Sequence, residues 1–403
     1  MTDLAPLIQI EDPAFYINDP FPVLARLRKE APVFYYAPLD TWVLSKYEDV
    51  REASRKPKVF SSAAGILLNE AKYGAGVMES FFPEDAALIS TTDPPLHRAV
   101  RRTITPPFVP SAVARLKDQI RACVTGLLDQ IEPGQPFDWL DQVAVPYPLQ
   151  VISLLLGVPL DRIEDMREWS DEMLKFGSPQ SREELTESAA KMATMGEYFT
   201  EQFARKREEP GDDLLSSLLR AELNGKELSE ANLHTLATGV LVAGNETMRN
   251  LLAGMMWLFA RHPDQLRLLS TDRSLIANAP DEFLRWLCPI TGFLRTATED
   301  TEIRGQRITK GQHIYLLYLA ANRDEEAFPG GETLDVRRKP DPMHLALGWG
   351  DHVCLGAHLA RMETSVLLEE LLGRFTTVEL AGPAKRLPSV LQTAWTELPV
   401  RLS

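Results

Sequence analysis

One segment of the chain constrains its fold more than any other, because residues 229–262 form a single predicted helix of unusual length. Ser229 with Asn232 predicts the helix start, and His262 followed by Pro263 predicts its end. The middle of the segment is nearly all apolar or small. A helix without a polar face must be buried on most sides. We therefore expect this helix to cross the centre of the molecule.

Helices dominate the rest of the chain, with a minor region of short strands. Helical periodicity runs from about residue 95 to 205 and returns from Leu355 onward. Short strands are predicted at 33–36, at 41–46 and within 294–320. No Gly/Ser tract, charge block or internal repeat divides the 403 residues. We expect a mainly α fold with a minor β region and a single domain over residues 1–403.

The formal net charge of −14 means that the chain as a whole repels nucleic-acid phosphates. The N-terminus has no basic region followed by an apolar core, and no run of about 20 apolar residues occurs anywhere. We expect a cytoplasmic protein with neither a membrane anchor nor a nucleic-acid partner. The cysteines Cys123, Cys288 and Cys354 are too widely spaced for a disulfide framework or a paired-cysteine zinc site. A single cysteine ligand remains possible.

The stretch from Leu347 to Gly356 is the most informative part of the sequence, and it leads directly into a helical run. The glycines Gly348 and Gly350 permit tight backbone turns close to a bulky planar group. They leave Cys354 at the start of a helix, where backbone amides favour the thiolate over the thiol. A thiolate in this position is a good iron ligand.

Two further motifs lie on predicted helices. The run Ala243-Gly244-Asn245-Glu246-Thr247 occupies the middle of the long helix. A Gly costs about 1 kcal/mol there, and a Thr hydroxyl can bond to a carbonyl one turn earlier, so we expect a local opening of the helix. Glu282 and Arg285 lie three apart on a shorter helix, which by itself is an ordinary ion-pair spacing.

Together these motifs resemble those of the cytochrome P450 family. The haem-binding loop of that family has the pattern Phe-Gly-x-Gly-x-His-x-Cys-x-Gly, which this sequence matches at Gly348, Gly350, His352, Cys354 and Gly356. It departs at Leu347, where the family usually has Phe, so we expect iron ligation with a modestly different reduction potential. The resemblance covers almost the whole chain. It implies the cytochrome P450 fold, with haem b between the long central helix and the cysteine-loop helix.

The resemblance also implies a role for each motif. Cys354 would ligate the iron, and Glu246 and Thr247 would be catalytic residues that relay protons to dioxygen. Glu282 and Arg285 would form a buried structural network with Arg338 or, as the alternative, Arg337. The remaining residues implied to contact the haem, with the cationic ones paired to its propionates, are His97, Arg101, Arg295, His352, Gly348, Gly350, Gly356, Ala243 and Gly244.

Substrate and partners follow from the same resemblance. The positions that correspond to the substrate pocket of the family are mainly apolar, and they are Ile66, Leu67, Met78, Phe82, Phe176, Val242, Ile290, Phe293, Leu294 and Leu391. We expect a haem-thiolate monooxygenase that uses dioxygen to hydroxylate a lipophilic terpenoid, steroid, fatty acid or polyketide. Because no flavin or iron–sulfur segment is fused to the chain, electrons would come from a ferredoxin and an NAD(P)H-dependent ferredoxin reductase. The ferredoxin contact is expected near Arg102, His358 and Arg361.

Other functions stay open at this point. A peroxygenase would use hydrogen peroxide directly, but peroxide-using relatives tend to replace the acid–Thr pair with an Arg-Pro arrangement. A haem protein that binds a gas or passes electrons would need no proton relay. A helical binding protein without haem is the third alternative, and a red purified protein would exclude it.

Overall fold

The computed structural model describes residues 4–74, 86–175 and 182–403, and it describes no side chains between 173 and 190. These ranges are mainly helical with short strands, which confirms the predicted fold class. The helices are α1 (Pro13–Ile17), α2 (Phe21–Glu30), α3 (Tyr47–Ser54), α4 (Leu68–Tyr73), α5 (Leu96–Ile104), α6 (Pro110–Arg115), α7 (Lys117–Leu128), α8 (Pro146–Leu156), α9 (Ile163–Lys175), α10 (Arg182–Glu208), α11 (Leu214–Leu219), α12 (Glu230–Arg261), α13 (Pro263–Thr271), α14 (Ala279–Leu287), α15 (Tyr318–Ala321) and α16 (Ala357–Arg374).

The strands are short and fall into small sheets. They are β1 (Val33–Tyr36), β2 (Thr41–Leu44), β3 (Phe60–Ser61), β4 (Pro136–Asp138), β5 (Glu222–Leu223), β6 (Lys226–Glu227), β7 (Phe293–Ala297), β8 (Thr301–Ile303), β9 (Gln306–Ile308), β10 (His313–Leu316), β11 (Val378–Leu380), β12 (Lys385–Arg386), β13 (Trp395–Glu397) and β14 (Pro399–Leu402). The largest sheet has the order β1-β2-β10-β7-β3, in which β10 is parallel to β2 and the other pairs are antiparallel.

The long central helix predicted from the sequence is confirmed as α12. The Ser229 hydroxyl accepts a hydrogen bond from the backbone N–H of Asn232 at 3.2 Å, and Pro263 begins the next helix. α12 packs against α8, α9, α11 and α14, so most of its side chains are buried. A Cβ on Gly244 would lie 2.7 Å from Cδ1 of Ile152, and this glycine therefore lets α8 approach α12 closely.

One predicted strand is shorter than expected. The apolar run from 312 to 320 forms β10 only as far as Leu316, after which Tyr318–Ala321 form the helical turn α15. All four residues of α15 are buried, and they pack against α2 and α3. A short apolar run does not distinguish a strand from a buried helical turn, and the tertiary packing decides between them.

The buried apolar side chains form two large clusters. One surrounds α12 and includes residues of α7, α8, α14 and α16, and the other surrounds the five-stranded sheet. Most of α12 is therefore covered by protein. Across the described part of the chain, no helix combines the length and the apolar composition needed to cross a membrane.

Candidate haem site

The cysteine loop, residues 347–356, is a tight turn that ends where α16 begins. The backbone N–H of Cys354 donates to the carbonyl oxygen of Leu347 at 2.7 Å, which closes the loop on itself. Gly348 and Gly350 have φ values of +70° and +72°, a region that favours glycine. A Cβ on Gly350 would also lie 2.5 Å from the carbonyl oxygen of Ser54, so this glycine lets α3 pack on the loop.

Cys354 is exposed, whereas Cys288 is fully buried. The protein atoms packed around the Cys354 thiol raise its pKa, and the backbone N–H of Gly356 and the guanidinium groups of Arg101 and Arg361 act in the opposite direction. A Cβ on Gly356 would lie 3.9 Å from Sγ, an ordinary van der Waals contact, so this position borders the sulfur. Cys354 is thus a reachable thiol at a helix start with two cations nearby.

Four side chains from three segments form a basic cluster at the cysteine loop: His97 and Arg101 of α5, Arg295 of β7, and His352 of the loop itself. The ring centroids of His97 and His352 lie 4.1 Å apart. Burial, and then the positive charges of Arg295, His97 and Arg101, lower the pKa of His352 to about 3. The structure therefore brings together all four residues that the sequence assigned to the propionates.

The basic cluster tests whether a haem fits this site. Arg101 donates to the backbone carbonyl of Asp351 at 3.1 Å and Arg295 donates to that of Leu294 at 2.7 Å. Within residues 4–74, 86–175 and 182–403, Arg101 and Arg295 form no ion pair with a carboxylate. The two buried ring nitrogens of His97 have no hydrogen-bond partner in the same ranges. Such groups require an anionic or accepting partner. The propionates of haem b meet that requirement, and the exposed thiol is a suitable iron ligand.

In the middle of α12, neighbouring helices leave a short stretch partly exposed. Ala243 is exposed, and Val242, Gly244 and Thr247 are half-buried, although most of the helix is buried. The Thr247 hydroxyl donates to the carbonyl oxygen of Ala243 at 2.7 Å, one turn earlier. This is the local bond that the sequence predicted, and it places the hydroxyl beside a partly exposed stretch of helix. The predicted local opening is wrong, because α12 continues without interruption from Glu230 to Arg261.

Glu246 is buried next to Thr247, with 3% of its side chain exposed. Its Oε1 lies 3.7 Å from Nη1 of Arg249, which in turn lies 2.9 Å from Oδ1 of Asp171 on α9. Burial raises the pKa of Glu246 to about 7; the charge of Arg249 lowers this pKa and that of Asp171 raises it. Near neutral pH the carboxyl group can therefore both take up and release a proton.

Sequence reasoning missed Arg249 and Asp171. The spacing of three between Glu246 and Arg249 could have indicated the first, because such residues are neighbours on a helix. No pattern in the sequence indicated Asp171, since its contact depends on how α9 crosses α12.

Glu282 and Arg285 of α14 form a buried bidentate ion pair, with nitrogen to oxygen distances of 2.7 and 2.8 Å. Arg338 lies with Nε 3.2 Å from Oε2 of Glu282, while Arg337 pairs with a neighbouring aspartate at the surface. Arg285 also donates to three backbone carbonyls, those of Asn322, Gly331 and Thr333. The side chains of the pair are 0% and 2% exposed, so Glu282 and Arg285 form a buried, hydrogen-bonded pair, with Arg338 in ionic contact with Glu282.

The predicted substrate-pocket residues fall into three groups. Met78, Phe82 and Phe176 lie outside the described residues. Val242, Ile290, Phe293 and Leu391 are half-buried, and Ile66, Leu67 and Leu294 are buried.

Leu294 is fully buried in the core around the sheet, on the opposite face of β7 from Arg295 and Phe293, because side chains alternate along a strand. Leu391 lies beside Ile290, since its carbonyl accepts from the backbone N–H of Thr291 at 2.9 Å.

Comparison with known proteins shows which family the chain resembles. The sequence model described as cytochrome P450 matches residues 270–400. The chain is 35% identical to a putative cytochrome P450 126 of Mycobacterium tuberculosis over 95% of both chains. It is 32% identical to a steroid C26-monooxygenase of Rhodococcus jostii, over 94% of this chain and 81% of that protein. The crystal structure of CYP108D1 from Novosphingobium aromaticivorans is similar, with a TM-score of 0.86 and 30% identity over 99% of this chain and 98% of that one.

Proposed function

This chain belongs to the cytochrome P450 family and is a monooxygenase with haem b as its cofactor; on this premise we propose that it hydroxylates a lipophilic small molecule with electrons from a ferredoxin. The observation that carries the proposal is the exposed Cys354 thiol at the start of α16, next to a basic cluster without a carboxylate partner among the described residues. A haem-thiolate centre needs both features.

Bound haem supplies the activation of dioxygen, to which a thiolate ligand contributes by donating electron density. Cys354 provides that ligand in our proposal. Arg101 and Arg295 hold the propionates by charge, and His97 and His352 hold them by ring N–H groups. The backbone N–H of Gly356 lowers the pKa of the Cys354 thiol, which partly offsets the rise caused by burial.

Protons are proposed to reach the site along the partly exposed stretch of α12 around Glu246 and Thr247. The Thr247 hydroxyl donates its hydrogen bond to the Ala243 carbonyl oxygen. The lone pairs on Oγ1 therefore remain free to accept a hydrogen bond from a water. Glu246 holds or releases a proton at its carboxyl group, since its pKa of about 7 is close to the working pH. A relay from Glu246 through Thr247 therefore suits an enzyme that must deliver protons to a largely apolar site.

The substrate class is proposed from the character of the lining. Val242, Ile290, Phe293 and Leu391 are apolar and still partly accessible, so they suit a lipophilic molecule. A relative named for its action on a steroid supports the same range of substrates. We propose a terpenoid, steroid, fatty acid or polyketide as the substrate.

The proposed ferredoxin contact lies on the face around the cysteine loop. Val353 is 38% exposed beside Cys354, and Leu96 is 41% exposed at the start of α5. The exposed side chains of Arg102 and His358 add positive charge around them. Arg361 contributes less than the sequence suggested, because it is ion-paired with Asp281. Exposed apolar and basic side chains on the same two segments suit contact with an acidic iron–sulfur protein.

The experiment that tests this function uses the purified holoprotein with a ferredoxin and its reductase. The ferrous carbon monoxide complex should show the red-shifted absorption of thiolate ligation, and Cys354→His should lose it, while Cys123→Ala serves as the matched control and keeps it. Consumption of reduced nicotinamide should rise with an apolar substrate and yield hydroxylated product. Consumption that no apolar compound stimulates would contradict the proposal, and turnover with hydrogen peroxide alone would support a peroxygenase instead.

A further inference from the structure

A second set of polar contacts surrounds Asp281, the residue before Glu282 on α14. Nε and Nη2 of Arg361 lie 2.8 and 2.7 Å from its Oδ1, and Nε2 of His344 lies 3.1 Å from the same atom. Asp281 and His344 are buried, whereas Arg361 is 25% exposed. We refer to Asp281, His344 and Arg361 as the Asp281 triad.

The Asp281 triad holds the cysteine loop at both ends. On the side before the loop, the backbone N–H of Ala346 donates to Nδ1 of His344 at 3.2 Å. On the side after it, Nη1 of Arg361 donates to the carbonyl oxygen of Ala357 at 3.2 Å, in the first turn of α16. A single carboxylate on α14 therefore fixes the backbone on both sides of Cys354.

The charges within the triad follow from its hydrogen bonds. Nδ1 of His344 accepts a hydrogen bond, so the ring proton is on Nε2 and points at Asp281. Burial lowers the pKa of His344, which keeps the ring neutral. Burial raises the pKa of Asp281, but hydrogen bonds from His344 and Arg361 outweigh this effect and hold it below its ordinary value. The triad thus carries one negative and one positive charge.

We propose that the Asp281 triad sets the reduction potential of the haem site, because it fixes and partly offsets the positive charge of Arg361, which is held at the first turn of α16, three residues after Cys354. The inference rests on the proposed role of Cys354 as the iron ligand. Reduction adds one negative charge to the site, and a nearby cation therefore favours the reduced form. Asp281 and His344 are positioning residues in this account, since neither touches the sulfur.

The test is a spectroelectrochemical titration of the substrate-free holoprotein. Asp281→Asn leaves the charge of Arg361 without its counter-charge and should shift the potential to a more positive value. Arg361→Gln should shift it to a more negative value, and the double variant should lie close to the parent. Each single change should alter the ferrous to ferric ratio at a fixed applied potential by about threefold to tenfold, as expected for one partly screened charge.

The chain offers matched controls for this test. Arg374→Gln removes a cation from the far end of the same helix, where it pairs with Glu370 at 2.6 Å, about 20 Å further along at 1.5 Å per residue. This variant should leave the potential unchanged. Asp281→Glu keeps the negative charge and should restore a potential close to that of the parent.

The outcomes separate this inference from the proposed function. If the parent lacks the absorption of thiolate ligation, the proposed function fails and the inference fails with it. If the parent and all variants retain that absorption but Arg361→Gln leaves the potential unchanged or raises it, only the role of the triad is wrong. The Arg361→Gln result decides this point even if Asp281→Asn does not retain haem.

Discussion

The acids of the motifs on the two sides of the candidate haem site, Asp281 and Glu282 on the cysteine side and Glu246 on the α12 side, have opposite environments. On the cysteine side, Glu282 and Asp281 each accept charge-assisted hydrogen bonds from an arginine. On the α12 side, Oε1 of Glu246 and Oδ1 of Asn245 are buried without a hydrogen-bond partner among the described residues. A satisfied network fixes geometry, whereas an unsatisfied acid can exchange protons. The comparison suggests that one side holds the ligand and the other supplies protons.

The largest expected effect comes from breaking the cysteine side. Glu282→Ala or Arg285→Ala should yield little haem-loaded protein, because removing one partner of a buried ion pair costs about 3–5 kcal/mol. The measurement is the haem to protein ratio after purification, together with the free energy of unfolding. Normal haem content in either variant would show that the network is dispensable.

A matched control for this change exists on α3. Glu52 and Arg55 have the same spacing as Glu282 and Arg285, but their side chains are 40% and 55% exposed. Glu52→Ala should therefore change the free energy of unfolding by less than about 1 kcal/mol and leave the haem content intact.

Changes on the α12 side should leave haem binding intact but uncouple nicotinamide oxidation from product formation. Thr247→Ala should bind haem and substrate almost normally while diverting much of the consumed reduced nicotinamide into hydrogen peroxide, because protons are no longer directed correctly. The measurement is product and peroxide formed per nicotinamide oxidised. Glu246→Ala should chiefly slow turnover. Full coupling in Thr247→Ala would remove the relay role from this residue.

The pH dependence of stability sharpens the comparison further. The pKa of Glu246 in the folded protein is about 7, above its ordinary value of 4.5, so the folded state binds more protons than the unfolded state between these values. The stabilisation from the neutral acid is fully present below pH 4.5 and is lost as the pH rises through 7, by up to about 3 kcal/mol.

Glu246→Gln provides the test of this dependence. As the pH rises from 5 to 7.5, the unfolding free energy of the parent should fall relative to that of Glu246→Gln. The measurement is a denaturant titration of both proteins at each pH. A difference that is constant across this range would mean that Glu246 keeps an ordinary pKa in the folded protein.

The smallest expected effect concerns Leu347. It is half-buried, and its carbonyl accepts from the N–H of Cys354. Leu347→Phe should retain haem and thiolate ligation and change the reduction potential only modestly, because the backbone bond does not depend on the side chain. Loss of the thiolate absorption in this variant would mean that the loop cannot accommodate the larger ring.

Much of the fold was predictable from local patterns. The start and end of α12 follow from Ser229 and Pro263, and the bond from Thr247 to Ala243 follows from the spacing of one helical turn. The basic cluster was predictable only through the family resemblance, because its members lie far apart in the sequence. Asp171 and His344 could not be found at all, since no local pattern indicates which distant segments come into contact.

Residue spacing by itself also leaves the strength of an interaction open. Glu52 with Arg55, Glu246 with Arg249, and Glu282 with Arg285 share one spacing and one pair of residue types. The structure distinguishes the three pairs. The first is exposed, with a nitrogen to oxygen distance of 3.4 Å, and the second is a longer contact of 3.7 Å. The third is a buried bidentate pair. The sequence determined which residues are neighbours on a helix and which cysteine stands at a helix start. Only the tertiary structure decided which pairs are removed from water, and the energy of a charge depends mainly on that removal.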